Sequence, residues 1–253
     1  MTESNKMAIN TVSQWARLVG GVALVFALFH WTAQALGSDR GQAGIIIGLL
    51  VVTATLVVER AIFRQPPAAA ARSVGLGLPR AGSLITAAAV CVGLLLVVPV
   101  FAKVTADSPT FLPGWWRLLP GLFAQAGIAE EVLFRGYLFG RLRQGRSFWR
   151  AAGLSILPFA AVHLILFLTM PWAIALAALL LSIALSVPLA HLFELGGGTI
   201  WAPALVHFVV QGTVKVITFP DASGSGFPLL WMAASALVPM LALLVPRPER
   251  RDA

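Results

Sequence analysis

The chain has 253 residues, of which 58% are hydrophobic and only 11% charged, and its mean hydropathy is +0.87. This apolar share exceeds that of an ordinary soluble domain, so we expect an integral membrane protein. The net charge of +8 does not indicate a nucleic-acid partner, because the basic residues collect between the apolar runs. The single cysteine, Cys91, lies inside an apolar run and excludes an intramolecular disulfide.

Apolar runs in chain order predict an all-α polytopic membrane helical bundle of about eight transmembrane helices. The predicted spans are about Trp15–Leu36, Ala43–Val58, Ala81–Phe101, Leu118–Phe139, Ala151–Met170, Trp172–His191, Ile200–Phe219 and Phe227–Val245. The short alternating segments that are typical of membrane β-barrel strands are absent from the sequence. We see no internal repeat and no soluble segment, and therefore expect residues 1–253 to form a single integral membrane domain.

Lysine and arginine are distributed unevenly between the predicted loops. With the N-terminus placed inside, thirteen basic residues lie on the inner side and three on the outer side. The inner loop Glu59–Arg80 is the longest of the connections and contains a Pro pair that breaks the helix. This bias predicts cytoplasmic termini and an even number of spans. The richness in Ala, Leu and Arg favours a bacterial source, and therefore the bacterial cytoplasmic membrane.

The fourth predicted span contains three charged residues within the sequence AEEVLFRGYLFGR, Ala129–Arg141. Glu131 and Arg135 are four residues apart on a helix, in the order that favours an ion pair. Glu130 is rotated by about 100° from Glu131 and is left without that partner. A carboxyl group of this kind suits general acid or base chemistry. The alternative is that both glutamates pack a helix end or bind an arginine elsewhere.

Two further spans contain polar residues at helical spacing. Phe159 precedes His163 by four residues in the fifth span, and His207 precedes Gln211 by four in the seventh. Each group alone is also explained by hydrogen bonding between membrane helices. Together with Glu130, these residues supply two imidazoles, an amide and a carboxylate from three helices. That combination is typical of a hydrolytic site with a base for water and donors for an oxyanion.

These three sequences resemble the motifs of the CPBP family of intramembrane proteases, the CAAX-processing and bacteriocin-processing enzymes also called Abi. The segment Glu130–Arg135, EEVLFR, is similar to the family's EExxxR motif, and Phe159–His163, FAAVH, to its FxxxH motif. The segment His207–Gln211, HFVVQ, resembles the HxxxN motif with glutamine in place of asparagine. The resemblance covers roughly residues 118–219, which we expect to form the protease-like core.

The resemblance implies two groups of site residues. The catalytic group consists of Glu130, His163, His207 and Gln211. The residues that support the site structurally are Glu131, Arg135 and Phe159.

The resemblance also implies a role for each catalytic residue. Glu130 activates the attacking water with assistance from His163, and His207 and Gln211 stabilise the oxyanion. Because glutamine is one methylene longer than asparagine, the amide of Gln211 is displaced by roughly 1 Å, and misplacement of that size can cost about a hundredfold in rate.

The implied activity is hydrolysis of a peptide bond in a membrane-associated peptide or protein, with the lipid bilayer as the surroundings. We expect no cofactor, although a divalent metal remains an alternative; the zinc-binding sequence HExxH is absent. Two other functions remain open. One is a catalytically weak or inactive immunity or scaffold protein of the same fold. The other is a proton-coupled carrier, because intramembrane Glu and His residues also form proton relays.

Overall fold

The structure, a computed structural model, describes residues 11–37, 40–220 and 226–247. The described chain is a bundle of helices. The α-helices are α1 Val12–Leu36, α2 Gln42–Phe63, α3 Pro67–Ser73, α4 Ala81–Leu95, α5 Val97–Thr105, α6 Trp115–Leu122, α7 Gly140–Leu142, α8 Phe148–His163, α9 Trp172–Leu195, α10 Trp201–Val216 and α11 Gly226–Leu237. Two 3₁₀-helices, Leu164–Leu168 and Val238–Leu244, extend α8 and α11. The helical membrane bundle expected from the sequence is confirmed.

Six helices within the described ranges are long and apolar enough to cross a membrane. They are Val12–Leu36, Gln42–Phe63, Ala81–Thr105, Phe148–Leu168, Trp172–Leu195 and Gly226–Leu244. Each matches one predicted span with ends shifted by a few residues. The other two predicted spans carry the first and third motifs. Their helices are not among those that are long and apolar enough to cross a membrane. The predicted cytoplasmic position of both termini concerns chain ends that lie outside the described residues.

The fourth predicted span is a continuous helical segment over residues 115–142, which we call the motif helix. It begins with α6, ends with α7 and contains two π-helical stretches, Phe123–Ala129 and Val132–Phe139. The wider turn is visible in the backbone, where the Glu130 N–H donates to the Gln125 carbonyl and the Gly140 N–H to the Arg135 carbonyl. π turns occur mostly at functional positions in helices. Here they flank the two glutamates.

The motif helix lies at the centre of the bundle, since every residue from Val132 to Phe139 is buried. Small residues allow its close contact with α2, because a Cβ on Gly44 would overlap the backbone of Gly121, and a Cβ on Gly121 would overlap the carbonyls just before α2. Gly136 packs in the same way against the backbone carbonyl of Val74. These close contacts hold the two glutamates at a fixed depth in the bundle.

The predicted inner loop Glu59–Arg80 begins inside helix α2 and contains a further short helix, so it is more regular than the sequence predicts. The helix is interrupted at residues 64–66, where the Pro pair begins. α2 continues to Phe63, and the fully buried carboxylate of Glu59 forms an ion pair with Arg141 at the end of the motif helix. The chain then forms α3, whose Ala70 is buried. The ion pair connects the last turns of α2 to the end of the motif helix.

The segment after α3 is attached to the start of α10. The Ile200 N–H donates to the Gly75 carbonyl at 3.0 Å, and the Trp201 indole N–H donates to the Gly77 carbonyl at 2.8 Å. This attachment orients the helix that carries the third motif relative to the motif helix.

The seventh predicted span is shorter than expected at its far end. α10 ends at Val216, and the next two residues form strand β2, Ile217–Thr218, which pairs antiparallel with β1, Thr110–Phe111. The hydroxyls of Thr110 and Thr218 lie 2.9 Å apart. The ribbon connects the end of α10 to the chain that leads into the motif helix, so the two motif-bearing elements are joined at this end of the bundle.

Candidate active site

Glu131 is the central acceptor of the candidate site. Its side chain is fully buried, and its Oε1 atom accepts hydrogen bonds from Arg135 Nη1 at 3.0 Å and from His207 Nδ1 at 2.6 Å. The ion pair that the four-residue spacing predicts is therefore present in the structure. Because both donors converge on a carboxylate without access to solvent, Glu131 is suited to hold the site together rather than to exchange protons with water.

Glu130 occupies a different environment although it is the adjacent residue. Its side chain retains 13% of its exposure, and Oε2 lies 3.7 Å from His207 Nε2. This distance is too long for a direct hydrogen bond, so the Glu130 carboxylate keeps its acceptor capacity for another group. The asymmetry between the two glutamates follows the difference in helix rotation that the sequence predicts.

His207 connects the first and third motifs. Besides its contact with Glu131, its Nε2 atom lies 3.3 Å from Gln211 Nε2, and the Gln211 Oε1 atom accepts from Lys215 Nζ at 2.9 Å. Lys215 is a residue that sequence reasoning left out of the site. The signal that points to it is the repeated four-residue spacing from His207 through Gln211 to Lys215, which places all three on one face of α10.

His163 lies on a separate helix, α8, and is partly buried. Its Nδ1 atom lies 2.8 Å from the Phe159 carbonyl oxygen. Because a carbonyl only accepts, Nδ1 carries the proton, and Nε2 has a free lone pair in the neutral ring. Among the described residues, no hydrogen bond or ion pair joins His163 directly to Glu130.

Phe159 contacts both the first and second motifs. The Arg135 guanidinium lies over its ring at 4.4 Å from the centroid, and the His163 ring packs edge-on at 4.9 Å. An arginine over an aromatic face gains a cation–π interaction, which is stronger where water is excluded. The ring thereby fixes the distance between the arginine of the motif helix and the histidine of α8.

A cavity of about 450 Å³ lies beside these residues. This volume is within the range of small-ligand sites. Its polar lining consists of His163, Ser182, His207, Gln211 and Lys215, and the remainder is mainly apolar side chains from α9 and α11. Glu130 is outside this lining, although it lies 3.7 Å from His207, which belongs to it. The cavity is thus lined by residues of the second and third motifs, and Glu130 of the first motif lies 3.7 Å from one of them, His207.

The glutamates and histidines of the site are residue types that can bind a metal ion. In the part of the chain that the structure describes, no group of three or more His, Cys, Asp or Glu residues has an arrangement that holds a metal ion. The sequence-based expectation of a reaction without a cofactor stays a prediction.

Comparison with known families agrees with this geometry. Residues 112–213 match the model of the family described as Rce1-like, "Type II CAAX prenyl endopeptidase Rce1-like". The matched segment includes the motif helix from residue 115 and all three motifs, and it ends two residues before Lys215. No curated protein sequence matches the chain. The resemblance inferred from the motifs is therefore confirmed by an independent match over the same region.

Proposed function

We propose, on the premise that residues 112–213 belong to the CAAX-protease family, that the protein is an intramembrane endopeptidase. The observation that carries this proposal is that a partly accessible Glu130 lies 3.7 Å from His207, which lines an apolar cavity together with His163 and Gln211. A carboxylate with acceptor capacity beside hydrogen-bond donors suits peptide hydrolysis, and the apolar cavity suits a membrane-associated substrate.

In the proposed reaction, Glu130 is the general base. Its carboxylate takes a proton from a water molecule as the water oxygen attacks the carbonyl carbon of the peptide bond. When the tetrahedral intermediate collapses and the C–N bond breaks, protonated Glu130 gives that proton to the leaving amine nitrogen. Glu131 is less suited to this task, because its Oε1 atom already accepts from a guanidinium and an imidazole. The free Nε2 lone pair of His163, a residue of the cavity wall, provides a second acceptor for the hydrogens of the attacking water.

The oxyanion of the tetrahedral intermediate needs hydrogen-bond donors that are already oriented. The Gln211 amide nitrogen has two hydrogens, and its contact with His207 uses one of them. The second remains for the oxyanion. His207 donates through Nε2 only when the ring is protonated, because Nδ1 holds the proton that is donated to Glu131.

The substrate that fits this site is a membrane-associated peptide or protein. The cavity wall is apolar apart from the residues named above, so a chain that enters it exchanges lipid for a similar environment. The matching family is described as acting on CAAX prenyl substrates, and a prenylated or otherwise membrane-anchored peptide is the proposed class here. We place the protein in the bacterial cytoplasmic membrane, and the mechanism needs no cofactor.

The test compares membranes that contain the wild-type protein with membranes that contain Glu130→Gln or His163→Ala. Mass spectrometry of membrane-associated peptides is expected to show at least one uncleaved peptide that accumulates with both variants. If the cleavage products are the same for all three proteins, the catalytic assignment fails. A protective immunity effect that survives both substitutions would favour a scaffold protein, and gradient-driven uptake into vesicles would favour a carrier.

A further inference from the structure

Helix α10 presents three polar residues that are joined end to end. Lys215 Nζ lies 2.9 Å from Gln211 Oε1, Gln211 Nε2 lies 3.3 Å from His207 Nε2, and His207 Nδ1 lies 2.6 Å from a carboxylate oxygen of Glu131. We call this series the hydrogen-bond relay. Its first residue, Lys215, lies outside the segment that matches the family and has no role in the reaction proposed above.

Only one assignment of donors and acceptors is consistent along the hydrogen-bond relay. An ammonium group only donates, so Gln211 must turn its carbonyl oxygen towards Lys215 and its amide nitrogen towards His207. The amide nitrogen also only donates, so His207 Nε2 must be the acceptor. The proton of the neutral ring is then on Nδ1, where the Glu131 carboxylate accepts it. Each donor in the hydrogen-bond relay is therefore determined by the donor before it, beginning with Lys215.

We propose that Lys215 is a positioning residue that sets the orientation of the Gln211 carboxamide. A glutamine side chain has one more rotatable bond than the asparagine of the family motif, so its amide needs a second contact to be held in one orientation. With the oxygen held by Lys215, both hydrogens of the amide point away from the lysine, one to His207 and one available to the cavity. If the Gln211 carboxamide were rotated by 180°, its oxygen would face the oxyanion and could not donate a hydrogen bond to it.

The surroundings of Lys215 favour this contact. The residue is partly buried and lines both the main cavity and an adjoining cavity of about 350 Å³, where Arg40 is a second basic residue. Two cations that share a cavity repel each other, and the Gln211 carbonyl oxygen provides an acceptor that offsets this repulsion. A buried ammonium group without such an acceptor is costly.

The catalytic consequence rests on the proposed protease function, whereas the direction of the hydrogen bonds does not. With a quenched fluorescent peptide that contains an apolar membrane segment, Lys215→Met is expected to lower kcat by about ten- to a hundredfold at nearly unchanged KM. Lys215→Arg keeps a donor and is expected to recover most of the rate. Lys215→Met should have no further effect in a Gln211→Ala background, because the two residues act as one unit.

The decisive experiment needs no substrate. Protein with ¹⁵N-labelled histidine is studied by NMR in detergent micelles, and the His207 signals are assigned by their loss in His207→Gln. We expect His207 to be protonated at Nδ1, and we expect its Nε2 resonance to be shifted by the hydrogen bond that Nε2 accepts from the Gln211 amide. Lys215→Met and Gln211→Ala should both move this Nε2 resonance towards the chemical shift of an unprotonated imidazole nitrogen that accepts no hydrogen bond. Lys215→Arg should leave the resonance in place.

Lys103→Met is the matched control, because Lys103 is exposed on α5 and should leave the His207 signals unchanged. The proposal is overturned if Gln211→Ala moves the His207 Nε2 resonance and Lys215→Met does not. It is also overturned if neither variant moves it, since Gln211 would then not donate to His207. Loss of cleavage plays no part in this outcome, so a failure of the protease proposal and a failure of this one are distinguishable.

Discussion

Two neighbouring glutamates differ in burial and in hydrogen-bond partners because a helix turns them to different surroundings. Glu131 is fully buried with two donors on one oxygen, whereas Glu130 is partly accessible and lies 3.7 Å from an imidazole nitrogen. The sequence predicts this division correctly as far as the pair of Glu131 with Arg135, because four-residue spacing is a local property of helices. The contact of Glu131 with His207 depends on how two helices pack and has no local signal.

Loss of the Glu131 charge should lower the free energy of unfolding of the whole protein. In Glu131→Gln the buried Arg135 guanidinium loses its counter-charge, and its Nη2 atom already has no hydrogen-bond partner among the described residues. An uncompensated buried charge costs about 3–5 kcal/mol in the free energy of unfolding. Thermal unfolding in detergent should therefore show a clear drop in Tm.

Glu194→Gln is the control for that measurement. Glu194 pairs with Arg143, and the two side chains keep 9% and 18% of their exposure, so water reaches this pair better than it reaches Glu131 and Arg135. Because ion pairs contribute less as water reaches them, Glu194→Gln should lower Tm less than Glu131→Gln. Equal Tm values for the two variants would show that the charge of Glu131 is not needed for folding.

At the scale of helices, the sequence predicts all eight helical segments and most of their ends within a few residues, and in the described part of the chain six of these segments are long and apolar enough to cross a membrane. It predicts neither the π turns on both sides of Glu130 and Glu131 nor the short β ribbon after α10. Both features depend on contacts with other parts of the bundle, and apolar periodicity carries no information on them. The same is true of the ion pair between Glu59 and Arg141, which are far apart in the sequence.

Gly136 tests how closely the motif helix must approach the segment after α3. A Cβ at this position would overlap the Val74 carbonyl oxygen, and the backbone of a packed segment cannot move aside at low cost. We expect Gly136→Ala to destabilise the protein by about 1–3 kcal/mol. Chemical or thermal unfolding of the purified variant measures this loss.

Gly153 provides the matched substitution in α8. No atom lies within 4 Å of the Cβ that alanine would add there. Alanine favours a helix over glycine by about 1 kcal/mol, so Gly153→Ala should raise the stability slightly while Gly136→Ala lowers it. Stability changes of the same sign at both positions would contradict the packing described here.

For the molecule as a whole, the distribution of basic residues predicts a single orientation in the membrane, which the fold alone does not determine. Ser108 precedes the motif helix on the predicted outer side, and Arg150 follows it on the predicted inner side. In protein with Cys91→Ala, a membrane-impermeant maleimide added to right-side-out vesicles should label Ser108→Cys but not Arg150→Cys. Labelling of Arg150→Cys alone would mean that the protein is inserted in the opposite direction.

The central claim is that Glu130 is the base of a membrane-embedded peptidase, and purified protein in liposomes tests it most directly. The measurement is the cleavage rate of a peptide that accumulates in Glu130→Gln membranes, compared between the wild type and Glu130→Gln at equal Tm. Removal of a general base should lower this rate by at least about a hundredfold. Cleavage by folded Glu130→Gln at the wild-type rate would contradict the account.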